Sequence, residues 1–117
     1  MATYSKIDLS ASTDGIGILV DDDATAGKLI HQGSSTATTY DEVWIYASNI
    51  SAADKKLTIE YGSTTVIIEV TVTTEAGLSL VIPGLVIKGN ASPVEIRAFA
   101  ADTSSICLFG YVNRITA

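Results

Sequence analysis

Along much of this chain hydrophobic residues fall on every second position, in short runs divided by clusters of Gly, Ser, Asp and Asn. Such alternation sends successive side chains to opposite faces and describes half-buried strands; the i, i+3, i+4 spacing of an amphipathic helix is nowhere favoured. The pattern predicts strands at Lys6–Leu9, Ile16–Val20, Lys28–Gln32, Glu42–Ser48, Lys56–Tyr61, Thr64–Thr73, Leu78–Ile82, Pro93–Ala100 and Ser105–Ile115. That many strands in 117 residues require two packed sheets. The expected fold is all-β, a two-sheet antiparallel sandwich of jelly-roll-like type with about 8–9 strands, spanning residues 1–117 as one domain. Residues 1–11 are readable as an extended N-terminal arm.

One hairpin can be registered on paper. Gly62 at the first central position of Tyr61-Gly62-Ser63-Thr64 suits a type II′ turn. Counting outward pairs Ile59 with Val66 and Leu57 with Ile68 on one face, and Glu60 with Thr65 and Thr58 with Ile67 on the other. Lys56 then faces Glu69 as an exposed ion pair. The segment Val43–Ala47 is apolar on both faces, which marks a central strand or one that meets another subunit. Trp44 reads there as core, with a subunit interface as the alternative. Pro93 opens a strand whose Val94, Ile96 and Ala98 face inward.

Composition supports the same class. Val, Ile and Thr account for 37 of the 117 residues, side chains that pack well on a pleated surface. A net charge of −6 has the wrong sign for a phosphate backbone, so no nucleic-acid partner is expected. No apolar run approaches the ~20 residues of a membrane helix, and the opening MATYSKIDLSAS lacks the features of a secretory signal. Neither a membrane nor export by that route is expected. The lone Cys107, in an Ile-Cys-Leu-Phe context, reads as a buried strand thiol.

Candidate chemistry is sparse. His31, the single histidine, sits in an apparent strand without a G-x-S-x-G elbow, which favours a structural or exposed role over catalysis. Gly15-Ile16-Gly17 lacks the third glycine and the helix of a dinucleotide fingerprint. Asp21-Asp22-Asp23 offers oxygen ligands without the alternating spacing of a calcium loop, and reads as a solvated turn. Asp41 and Glu42 are adjacent on a strand, so they face opposite ways and cannot share a substrate. Asn49 and Asn90 match the glycosylation pattern but read as turn residues. The chain is therefore expected to be no enzyme, with no catalytic residues, cofactor or metal.

Residues Glu42–Gly62 (EVWIYASNISAADKKLTIEYG), Leu78–Ile87 (LSLVIPGLVI), Pro93–Ala100 (PVEIRAFA) and Phe109–Ile115 (FGYVNRI) carry a further signal. Together they resemble small virion structural proteins of tailed bacteriophages, in particular capsid cement or decoration proteins. The resemblance implies a jelly-roll-like sandwich, often a homotrimer, assembled in the host cytoplasm onto the capsid exterior, where it bridges major capsid subunits. Under it, the segment around Lys6, Ile7 and Leu9 adds an edge strand to a neighbour, and Trp44 and Tyr46 supply subunit contacts.

Two other readings remain open. A neck or tail subunit would share the fold. A carbohydrate- or receptor-binding module would need an exposed aromatic platform, whereas most of the eight aromatics fall on strands expected to bury them.

Overall fold

The computed structural model describes residues 2–117 and, among them, contains strands and no helix. In chain order the strands are β1 (Thr3–Asp8), β2 (Ile18–Val20), β3 (Lys28–Gln32), β4 (Thr39–Asn49), β5 (Lys55–Ser63), β6 (Val66–Val72), β7 (Ser79–Lys88), β8 (Glu95–Ala100) and β9 (Ile106–Thr116). They form two sheets, both antiparallel. One has the order β1-β9-β4-β7, with β2 also pairing β9; the other has the order β3-β8-β5-β6. Each predicted strand is present, so the all-β sandwich stands as expected.

The pairings are nested. β1 and β2 together flank β9, β3 pairs β8, β4 pairs β7 and β5 pairs β6. A long hairpin with its tip at the β5–β6 turn, rolled so that its arms alternate between two sheets, gives this order, which is the jelly roll. Alternation supplies the core. Val43, Ile45 and Ala47 of β4 and Leu108 and Val112 of β9 point inward against Leu57 and Ile59 of β5 and Ile96, Ala98 and Ala100 of β8, all fully buried. Among the described residues every buried side-chain nitrogen and oxygen has a hydrogen-bond partner.

The β5–β6 hairpin departs from its predicted register. Ile59 pairs Ile68, Leu57 pairs Val70 and Lys56 pairs Thr71, a slip of two residues. The cause is the glycine. Gly62 spends its positive φ of 92° on a bulge between Glu60 and Ser63, and the chain reverses one step later, at Thr64 and Thr65. A two-residue slip preserves faces, so Leu57 and Ile59 still point inward. Lys56 and Glu69 still form their ion pair, now diagonally, at 2.8 Å.

Three other expectations change. β7 runs through Pro83 to Lys88, because an edge strand with register irregularities tolerates a proline. The N-terminal segment is no free arm: β1 pairs β9 over six residues, and Leu9 just beyond it is 1 % exposed. Cys107 is half-buried on the outer face of β9, opposite Ser48.

Candidate functional site

Two polar groupings stand out, one between the sheets and one on a sheet's outer face. The inner one joins three strands. His31 of β3 and Asp41 of β4 are each 1 % exposed, and Nε2 of His31 lies 2.8 Å from Oδ2 of Asp41. Arg114 of β9, directly opposite Asp41, donates from Nε to Oδ1 at 2.7 Å and from Nη2 to Oδ2 at 2.9 Å. On the other side of the imidazole, the Ser10 backbone N–H donates to Nδ1 at 3.1 Å. An accepting Nδ1 leaves the proton on Nε2, so His31 is a neutral tautomer donating to a carboxylate.

The electrostatics agree. Burial pushes the His31 pKa below its ordinary value, only partly offset by Asp41. Burial opposes ionisation of Asp41 too, but the hydrogen bonds from Arg114 and His31 prevail and hold its carboxyl below the usual range. Tyr61 is pushed up to about 12, by burial first and the Asp41 charge second. With both ring nitrogens committed to the fold, His31 is a clip between sheets. A second buried carboxylate does a similar job: Glu60, 2 % exposed, accepts from the Thr25 hydroxyl at 2.5 Å and the Gly27 amide at 2.6 Å, fastening the β2–β3 loop over the four-stranded sheet.

The second grouping is the outer face of the five-stranded sheet. β4 presents Tyr40, Glu42, Trp44 and Tyr46 outward; opposite them, β9 presents Ile115, Asn113, Tyr111 and Phe109. β1 adds Tyr4 and Lys6, which lie across from Ile115 and Asn113. Six of the chain's eight aromatic residues are thus on this face. The Trp44 and Tyr111 rings stack with centroids 6.2 Å apart and planes 13° apart, and the Lys6 ammonium lies 4.7 Å above the Tyr111 ring. Glycines opposite the rings let them lie flat: a Cβ on Gly84 would come within 2.8 Å of the Trp44 indole, and one on Gly17 within 2.4 Å of the Phe109 ring.

Trp44 is accordingly not core. Inward positions of β4 are the odd-numbered ones, Asp41 to Asn49, and the indole falls on the opposite face, where its Nε1 donates to Oε1 of Glu42 at 2.8 Å. The Asn113 side-chain amide donates to the same oxygen at 3.0 Å. These two bonds, Trp44 first, lower the Glu42 pKa. Beside them, Tyr4, Ser5, Lys6, Glu42, Asn113 and Ile115 line a concavity of about 340 Å³.

The five residues expected as contacts therefore divide. Lys6, Trp44 and Tyr46 share the outer face, and the Tyr111 ring joins the first two. Ile7 turns inward against the core and Leu9 is part of it, so neither is a surface contact. Asn113, Tyr111 and Phe109 were not singled out in the sequence, although their alternation with Val112 and Leu108 places them opposite the core once β9 is known to be central; Glu42 was weighed there only for a carboxylate pair with Asp41, and it does face away from Asp41. Asp21 pairs with Lys28 at 3.6 Å, and Asp22 accepts the Ala100 amide through its backbone. Asn49 and Asn90 each accept a backbone N–H two residues on, as turn residues do.

These features define a jelly-roll domain with a polar clip inside and an aromatic face outside. No family model matches the chain, and no curated protein matches it either.

Proposed function

We propose that this chain is a non-enzymatic structural protein of a tailed-bacteriophage virion, a capsid cement or decoration protein that bridges major capsid subunits on the outside of the shell. The observation that supports this reading is the placement of the aromatics. Trp44, Tyr46, Phe109 and Tyr111 lie side by side on an outer sheet face, each still partly in water. Covering them with a second surface contributes about 25 cal/mol per Å² of apolar area, and aromatics are the side chains that interfaces use as anchors. The resemblance of the Glu42–Gly62, Leu78–Ile87 and Phe109–Ile115 segments to virion proteins supplies the partner. Exposed Leu80 and Val86 of β7 extend the same face toward the sheet edge.

Cementing needs no reaction. Each copy buries a modest area across a subunit junction, and many copies acting on one shell resist its expansion together. In this reading the protein is a homotrimer before it docks, as closed rings of matched interfaces are.

Co-sedimentation with shells of the same phage's major capsid protein tests the proposal. Binding at hundreds of copies per particle is expected, lost in Tyr46→Asp and Phe109→Asp variants that keep the wild-type circular dichroism. A copy number of six or twelve would assign the chain to the neck or tail instead. No co-sedimentation at all would end the capsid reading.

A further inference from the structure

The geometry points to a binding site for a neutral sugar in the concavity between Tyr4, Lys6, Glu42 and Asn113, at the polar end of the outer face. The site lies at the opposite end of the face from Tyr46 and Phe109, and shares with the shell-contact cluster the Trp44–Tyr111 row. Strand register arranges it in rows. Lys6, Asn113 and Glu42 lie side by side across β1, β9 and β4, and form one polar row. Tyr4, Ile115 and Tyr40 form the row on one side of it; Tyr111 and Trp44 form the row on the other.

Rows on one sheet face repeat every two residues, about 7 Å, which is the scale of a pyranose ring. A hexose has apolar C–H faces and a hydroxyl rim, so it suits a polar strip flanked by rings. Tyr4 is 73 % exposed and Tyr40 38 %, so both offer ring surface to a ligand. The volume of about 340 Å³ falls at the lower end of small-molecule sites, which span about 300–1,000 Å³.

The polar row is already arranged for hydroxyls. Oε1 of Glu42 is held by Trp44 and Asn113, so the carboxylate is positioned before any ligand arrives. Its Oε2 and the Asn113 Oδ1 have no hydrogen bond among the described residues, and both accept. Lys6 supplies a donor beside them. Neighbouring hydroxyls, each both donor and acceptor, can meet that set of one donor and two acceptors. Charge selects further: Lys6 and Glu42 offset each other at the two ends of the row, and the net charge of −6 on the whole chain disfavours sialic and uronic acids. An uncharged hexose or N-acetylhexosamine is the ligand this site fits.

An array of neutral and acidic oligosaccharides, followed by amide-shift titration of the full-length protein with the best neutral probe, decides the matter. Saturable shifts centred on Tyr4, Lys6, Glu42 and Asn113 are expected, with acidic probes weaker. Tyr4→Ala and Glu42→Gln each reduce affinity about tenfold, whereas Lys56→Ala on the opposite sheet leaves it unchanged. Shifts centred elsewhere, a preference for acidic sugars, or no saturable shift with neutral probes up to about 1 mM would overturn the inference. Shell co-sedimentation is read through Tyr46→Asp and Phe109→Asp, whose positions do not line the concavity, and is scored separately, so either proposal can fail alone.

Discussion

His31 shows how one residue can look catalytic in composition and turn out to be architectural. A histidine bonded to an aspartate is half of a hydrolytic triad, yet here the nitrogen that would serve as base accepts the Ser10 amide. Burial gives the residue a pH signature. The folded-state pKa lies below the ordinary 6.5, so the unfolded chain takes up the proton first. The stability this contributes is complete above about pH 6.5 and declines as pH falls below it. Protonation also places a second N–H against the Ser10 N–H. Urea midpoints measured between pH 7.5 and 5 should fall for the wild type and fall less for His31→Gln. An equal slope in both proteins would mean that His31 is not the titrating group. Asp41, whose carboxyl is also held low, adds to the loss only at more acid pH, near and below 3.8.

Among the elements, β1 differs most from its sequence reading. A short apolar stretch near a chain end looks like a detachable arm, but its Ile7 and the following Leu9 are inward residues of the five-stranded sheet. The Leu9–Ser12 link is also stitched to β3: the Gln32 backbone N–H donates to the Ser10 hydroxyl and the Ala11 backbone N–H donates to the Ile30 carbonyl. Leu9→Ala should therefore destabilise the domain by about 2–5 kcal/mol, the usual cost of emptying a fully buried leucine site. Chemical denaturation would measure it, and a change below about 0.5 kcal/mol, typical of surface sites, would place Leu9 outside the core. Removing residues 1–9 is for the same reason a test of stability before it is a test of partner binding. The β5–β6 hairpin gives the complementary lesson, since its faces were legible and its register was not. Alternation reports parity, and a bulge at Gly62 that shifts pairing by two residues leaves parity untouched.

For the whole molecule, nested pairing has a kinetic consequence. The first strands pair with the last, so almost every sheet contact must close a long loop before it contributes. Refolding from urea, followed by the fluorescence of the single Trp44, is expected on the millisecond-to-second scale of all-β sandwiches. A microsecond phase carrying the full amplitude would contradict that topology. The mass of the protein in solution belongs to the same scale. A stable trimer by light scattering would fit a cement that assembles before docking, whereas a strict monomer would mean that the aromatic face waits for the particle or for the sugar.

The chain's local pattern determined the strands, their approximate limits and which residues of most strands share a face, because a two-residue period and Gly, Ser, Asp and Asn breaks are properties of neighbours. Tertiary structure decided what each face meets. Val43–Ala47 is apolar on both sides, so alternation alone could not tell whether Trp44 or Ile45 belongs to the core; the packing of the second sheet against Val43 and Ile45 settled it. Thr58 and Glu60 lie on the polar side of β5 and are nevertheless buried, Glu60 beneath the loop it binds. His31, Asp41 and Arg114 come from three strands, 10 and 73 positions apart, and only rolling the hairpin into two sheets brings them together. A one-dimensional pattern records periodicity, and contacts at that separation are set by how sheets stack.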